Sequence, residues 1–133
     1  MRPRQTVALL LAVLLLLLLP SCDYVSSYSA IGLVRESRDN YCHAQFHQLK
    51  GTLVLKPRFT EGAEGCLEYT AYLSEGEINV YYDCCGVKSL LFNLKAGEEI
   101  DGERGGYIER GRQTVIIETV GTAKGAVSVS LVS

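Results

Sequence analysis

The residues best suited to metal chemistry lie close together in the sequence: Cys42, His43 and His47. Zinc sites in proteins use four ligands, mostly cysteine and histidine, so Cys66 would be the natural fourth ligand. The histidines are four residues apart, which places them on one face of a helix but about 13 Å apart along a strand. A metal-binding or hydrolytic module built on residues 42–47 is therefore the alternative function. We expect no metal site and no cofactor, because cysteines of a chain exported to an oxidising compartment are expected to form disulfides. We expect no catalytic residue, because no Gly-x-Ser-x-Gly nucleophile motif is present.

Tyr72 and Tyr81 are the candidates for a binding surface. Both fall opposite the apolar side chains of their alternating stretches, and Ser74–Glu77 between those stretches predicts a tight hairpin. The two rings would then lie across the hairpin from one another. Neighbouring tyrosines on an exposed sheet face suit contact with a sugar or a protein. The structural alternative is cross-strand packing that only stabilises the sheet.

The acidic residues of the second half fall mostly in predicted turns. No Asp-x-Asp-x-Asp-Gly run is present that would indicate a calcium loop. We interpret these residues as solvated turn charge: Glu61, Glu64, Glu75, Glu77, Glu98, Glu99, Asp101 and Glu103.

The first twenty-one residues have the organisation of a secretory signal peptide. Arg2 and Arg4 form a basic start, and the apolar run Val7–Leu19 follows without interruption. This run fits the about 7–15 residues of a signal peptide and is shorter than the about 20 that cross a membrane. We therefore predict that residues 1–21 are removed and that the rest of the chain is extracytoplasmic.

The end of this leader, Leu19–Cys22, resembles the lipobox of bacterial lipoproteins. Every residue matches except Pro20, which replaces the small or β-branched residue usual in that family. The resemblance covers the leader alone. It implies that the Cys22 thiol carries lipid such as palmitate, that the chain is cut before it, and that the protein is anchored on the extracytoplasmic face of the cell membrane. The alternative is plain secretion after cleavage at a nearby small residue such as Ser27.

Four cysteines remain if Cys22 carries lipid, and an even number in an exported chain predicts disulfides. Cys84 and Cys85 are adjacent and would point to opposite faces of a strand, so a bridge between them is the least favoured. We expect one of them to pair with Cys42 and the other with Cys66. Which partner each takes stays open.

The chain after the leader predicts one all-β domain. Apolar and polar residues alternate through most of residues 52–132, and glycine-containing turns separate the runs. This pattern is typical of an antiparallel β-sandwich, or a jelly-roll-like fold, with seven to nine short strands. We assign residues 22–32 to the lipidated cysteine and a tether, and residues 33–133 to the sandwich.

Four stretches of this sandwich carry specific expectations. Pro57 cannot donate a ladder hydrogen bond, so residues 52–59 are expected at a sheet edge. Residues 113–120 are apolar on both faces, as in a central strand. Residues 103–106 are expected to form a loop, and Leu90 is expected to be buried.

Together these features predict a membrane-tethered lipoprotein whose small β-sandwich is a binding module or a structural part of the envelope. Its expected partners are the membrane, through the lipid anchor, and an envelope protein or a glycan. Without the leader, 11 basic residues stand against 15 acidic ones and no Lys/Arg run remains. We therefore expect no nucleic-acid partner.

The lipid anchor can be tested with one substitution. Cys22→Ser removes the thiol that lipid would modify, so we expect it to abolish incorporation of radiolabelled palmitate and to release the protein from membranes. Membrane association that survives the substitution would point to an uncleaved anchor instead.

Overall fold

The computed structural model describes residues 3–17, 24–60, 63–84, 86–108 and 111–132. One helix, α1, spans Pro3–Leu17. Nine strands follow: β1 (Ser27–Ile31), β2 (Val34–Arg38), β3 (Tyr41–Leu55), β4 (Arg58–Phe59), β5 (Ala63–Cys84), β6 (Val87–Lys95), β7 (Glu99–Ile108), β8 (Gly111–Arg112) and β9 (Thr114–Val132). Among the described residues, no helix is long and apolar enough to cross a membrane. Cys22 and the predicted cleavage sites before it lie outside the described residues.

Seven of the strands form one antiparallel sheet in the order β1-β3-β9-β5-β6, with β2 also paired to β3 and β7 also paired to β5. The small strands β4 and β8 pair with each other. The three central strands are long, with 15 residues in β3, 22 in β5 and 19 in β9. β3 pairs with β2 along one half and β1 along the other, and β5 pairs with β7 and then β6. β9 lies between β3 and β5 along both of its halves.

This sheet folds over on itself into two layers. Layer 1 contains β2, residues 41–46 of β3, 125–132 of β9, 63–73 of β5, and β7. Layer 2 contains β1, residues 49–55 of β3, 114–120 of β9, 77–84 of β5, and β6. The layers pack face to face, since the ring of Tyr69 in layer 1 stacks on Phe92 in layer 2 with centroids 5.1 Å apart. The predicted antiparallel β-sandwich is thereby confirmed, although its three central strands are not short.

Apolar side chains from both layers meet in one core. Fully buried residues alternate along each central strand, as period-two patterning predicts. The largest are Phe46, Leu49, Leu53, Leu67, Leu73, Ile78, Val80, Val115, Ile117 and Val127. Each such side chain stabilises the fold by about 1.5–3 kcal/mol relative to an exposed position. β1 lies within the predicted tether and pairs along β3, so the sheet begins at Ser27.

The central strands pass from one layer to the other at bends where pairing registers shift. In β5 the shift lies between Leu73 and Glu77, and Gly76 there has a φ of +82°. A Cβ on Gly76 would overlap the carbonyl oxygen of Thr122 on β9. Gly125 is equally restricted, because its Cβ would overlap the carbonyl oxygen of Tyr72. Glycine at these positions allows the two strands to bend together in contact.

The prediction of a hairpin at Ser74–Glu77 is wrong. β5 continues through these residues, and β9 pairs with it on both sides, Leu73 with Gly125 and Glu77 with Val120. The polar residues and the glycine that indicated a turn form a bulge instead.

The edge position expected around residues 52–59 agrees with the pairing, because Leu53, Val54 and Leu55 pair with β9 alone and β1 pairs with β3 only as far as Thr52. Two further expectations about the sandwich are corrected. Residues 103–106 lie within β7, paired to β5. Leu90 is 51% exposed, because a register shift beside Val80 turns it outward. The central strand expected at residues 113–120 is confirmed from Thr114 onward, since β9 pairs with β3 and β5.

The bend in β5 gives a prediction with a matched control. Gly97 also has a positive φ, +85°, but a Cβ there meets nothing within 4 Å. Gly97→Ala should therefore cost only the left-handed backbone strain, about 1–2 kcal/mol. Gly76→Ala adds a clash with β9, and overpacking of this kind lowers the free energy of unfolding by about 1–3 kcal/mol more. Urea unfolding of both variants measures the difference, and equal losses would contradict the close approach.

Candidate functional site

Two rows of paired residues cross the outer face of layer 1. One runs His43, Ser128, Thr70, Asp101, and the next runs Gln45, Ala126, Tyr72, Glu99. Between them lies an open cavity of about 570 Å³, which we call the outer groove. Its lining residues are His43, Thr70, Ala71, Tyr72, Glu99, Ile100, Asp101, Ala126 and Ser128.

The shape of the outer groove follows from side-chain size. The central strand β9 contributes only Ala126 and Ser128 to the floor. The larger His43 stands on β3 at one side, and Glu99 and Asp101 stand on β7 at the other. Small residues between larger ones leave a concave surface of the size that small-molecule sites occupy, roughly 300–1,000 Å³.

The His43 side of the groove is held by a chain of contacts. Nδ1 of His43 lies 2.6 Å from Oγ of Ser128, a hydrogen-bond distance. The His43 ring is nearly parallel to that of Tyr41, with centroids 6.4 Å apart, and the Arg38 guanidinium lies 5.1 Å from the centre of the Tyr41 ring. The Tyr41 ring on one side and the hydrogen bond with Ser128 fix the imidazole before any ligand arrives.

Tyr72 projects from the floor of the layer with 47% of its surface exposed. It also lines a second cavity of about 110 Å³, together with Gly32, Gln45, Phe46, His47, Ser74, Lys124 and Gly125. Tyr72 is the residue that the linings of the two cavities share. A half-exposed aromatic ring beside polar side chains is well placed to stack on a ligand.

The opposite side of the groove is acidic. Glu99, Asp101 and Glu103 alternate along β7, and Glu68 on β5 pairs directly with Glu103. None of these four carboxylates takes part in an ion pair among the described residues. We call these four residues the acidic wall.

The acidic wall affects the pKa of the nearby Cys66 thiol. Its Sγ lies 3.4 Å from Oε2 of Glu103. Partial desolvation, the hydrogen bond to Glu103 and the charges of Glu103 and Glu68 raise the pKa of this thiol. The field at this edge therefore disfavours added negative charge.

The structure does not contain the disulfides predicted from Cys42 and Cys66. Both are free thiols. Cys42 faces the core in register with Val129, and burial raises the pKa of its thiol to about 12. The side chain of Cys84 and the whole of Cys85 lie outside the described residues.

The residues of the alternative metal site are not brought together. The side chain of Cys42 is buried on the inner face of β3, whereas His43 lines the outer groove and His47 lines the second cavity. Adjacent residues of a strand point to opposite faces, so Cys42 and His43 cannot bind one ion. Within the described part of the chain, no group of three or more potential metal ligands occurs.

The two candidate tyrosines lie on different layers. Tyr72 is on the outer face of layer 1, while Tyr81 is on the outer face of layer 2, where the Nζ atom of Lys88 lies 4.2 Å from its ring centre. The bend in β5 separates them.

Sequence analysis did not assign His43, Ser128 or the acidic wall to a site with Tyr72. The acidic residues at the alternate positions 99, 101 and 103 have the spacing of one face of a strand, and this pattern in the sequence could have indicated the acidic wall.

Comparisons with known proteins found distant structural similarity alone. No protein-family model and no curated protein matches the sequence. Among solved structures, a mutant of a carbohydrate-binding module of family 29 is 10% identical with a TM-score of 0.44, covering 80% of this chain and 79% of its own. The C-terminal family 6 module of LamC, a laminarinase from Zobellia galactanivorans, is 7% identical with a TM-score of 0.39, covering 80% and 99%. The CENP-C cupin domain of Drosophila melanogaster is 14% identical with a TM-score of 0.33, covering 98% and 99%. Since each of these TM-scores is below 0.5, we take the function from the residues of this chain.

The two free thiols give a prediction about the field of the acidic wall. Thiolate is the reactive form, so the raised pKa of Cys66 slows alkylation near neutral pH, and Glu103→Gln should speed it. Cys42 should resist iodoacetamide until the protein unfolds, because it is buried. Peptide mapping by mass spectrometry follows each site, and an unchanged Cys66 rate in Glu103→Gln would argue against the carboxylate effect.

Proposed function

We propose that this chain is a binding module that holds a glycan in the outer groove, and that it does so without catalysis. The observation that carries the proposal is the half-exposed ring of Tyr72 set between hydrogen-bonding side chains on both sides of a concave sheet face. A sugar ring presents an apolar face of C–H groups and a polar edge of hydroxyl groups. The outer groove offers a partner for each.

The apolar face of a sugar would stack on Tyr72, and its hydroxyl groups would meet the sides of the groove. Carboxylate oxygens of Glu99 and Asp101 accept hydrogen bonds from hydroxyl groups, and such charge-assisted bonds are the stronger kind. Between the two sides, the hydroxyl groups of Ser128 and Thr70 both donate and accept hydrogen bonds. Because His43 is already fixed by stacking and by its hydrogen bond, little entropy is lost there on binding.

The acidic wall defines the class of glycan. Four carboxylates without ion-pair partners among the described residues would repel uronic acids and sulfated sugars. The ligand that fits is therefore a neutral glycan. The second cavity beyond Tyr72 supports a linear chain of several sugar units lying across the ring rather than a single sugar.

We propose further that the module is anchored by lipid on Cys22 at the extracytoplasmic face of the cell membrane. The support is the leader sequence, in which a basic start, an apolar run and Leu19–Cys22 occur in the order of a lipoprotein signal. A tethered module of this kind would hold a neutral polysaccharide close to the cell surface.

Binding can be measured by calorimetry with soluble neutral oligosaccharides such as gluco- and manno-hexaoses, with polygalacturonate as the anionic comparison. Tyr72→Ala should weaken neutral-glycan binding at least about fivefold, if a sugar stacks on the ring as strongly as a nucleobase, for which the value is about 1–3 kcal/mol. Tyr72→Phe keeps the ring and should retain most of the affinity.

Two outcomes would contradict the proposal. The first is failure to bind any neutral glycan across a broad array. The second is equal loss of affinity in Tyr72→Ala and Tyr81→Ala, since Tyr81 lies on the other layer. Circular dichroism confirms that each variant is folded before its affinity is compared.

A further inference from the structure

The residues that enter the first strand form a strap across the outer face of layer 2. We define the strap as Tyr24, Val25 and Ser26. Oγ of Ser26 accepts a hydrogen bond from the backbone N–H of Val54 at 2.9 Å. The centre of the Tyr24 ring lies 6.0 Å from Nζ of Lys88, an atom that also contacts Glu118 on β9 and the ring of Tyr81 on β5.

The burial of outward-facing residues agrees with this position. Val54, Ile116, Tyr81 and Leu90 are paired in one row across the outer face of layer 2. Ile116 is nevertheless only 1% exposed and Val54 only 8% exposed. An outward apolar residue on a two-layer sandwich is buried to this extent only when another part of the chain covers it, and the strap has the contacts to do so.

The strap fixes the point at which a lipid anchor leaves the domain. Cys22 precedes Tyr24 by two residues, a distance of at most about 7 Å along the chain. Packed sheets are about 10 Å apart. A link of this length is therefore too short to bring the lipid round to the outer face of layer 1. The anchor therefore belongs to the side of layer 2.

The two outer faces also differ in what they present to a bilayer. Near the strap, layer 2 exposes Leu90 and, in the strap itself, Val25, beside the rings of Tyr24 and Tyr81. The charge of Lys88 on this face is paired with Glu118. Apolar and tyrosine side chains suit the headgroup region of a membrane. Layer 1 presents the acidic wall, which anionic lipids repel.

We propose that the outer face of layer 2 rests on the lipid surface, so that the outer groove points away from the membrane. This orientation rests on the lipid anchor of the proposed function and not on the identity of the glycan. It explains why the groove and the strap lie on opposite faces of the same three strands: the module is held by one face and binds with the other.

The absence of tryptophan from the chain allows a clean test. Leu90→Trp places a reporter on the outer face of layer 2, and Val34→Trp places one on the outer face of layer 1, at a position 60% exposed and paired with the outward Gln45. The lipidated protein, purified from membranes, is reconstituted into vesicles of phosphatidylcholine and phosphatidylglycerol that contain lipids brominated near the headgroup. Bromine quenches only nearby indole rings, so the emission of Leu90→Trp should fall at least threefold more than that of Val34→Trp.

Flotation of the vesicles separates this inference from the anchor on which it rests. Protein that does not float with the vesicles would overturn the lipid anchor and the orientation with it. Protein that floats while Val34→Trp is quenched equally or more, or while neither reporter is quenched, would overturn the orientation and leave the anchor intact. In the Cys22→Ser background both reporters should stay unquenched, which controls for lipid-independent adsorption.

Discussion

Every part of this structure depends on the three strands β3, β5 and β9 crossing between the layers without losing their pairing. A backbone ladder that continues through a bend satisfies its polar groups where a loop would need other partners. The bend is sterically possible because glycine stands where the strands touch, as at Gly76 and Gly125. The two outer faces are therefore opposite sides of one hydrogen-bonded unit, and neither layer exists without the other.

The fold class could be predicted because alternation is a local property. In residues 66–73 and 126–132, the side chains that the period-two pattern assigns to the core are buried or, for Tyr69 and Leu131, partly buried against it. The bends could not be predicted in the same way. Ser74–Glu77 has the composition of a hairpin, and only its pairing with residues 120–125, about fifty positions away, keeps the strand continuous. The exposure of Leu90 has a similar cause, since a bulge reverses alternation without any mark in the sequence.

Part of the candidate site could be predicted from the sequence for the same reason. The outward position of Tyr72 follows from its own strand, and its exposure agrees with that prediction. Its pairing with Tyr81 depended on the hairpin and fails with it. His43, Ser128 and Asp101 come from three other strands, and only the register of the sheet places them in one row with Thr70. The disulfides were expected from the even number of cysteines and their spacing. Neither property shows that the side chain of Cys42 faces a packed core.

The central position of β9 has a consequence for when the chain can fold. β9 is the ninth strand along the sequence, yet it pairs with β3 on one side and β5 on the other in both layers. Until residues 114–132 are available, β3 and β5 have no common partner, and the core residues on both remain in contact with water. Folding must therefore wait for contacts between distant parts of the chain, which makes it slow in comparison with local helix formation. A nascent chain with this topology therefore cannot complete its core until its last strand has been made.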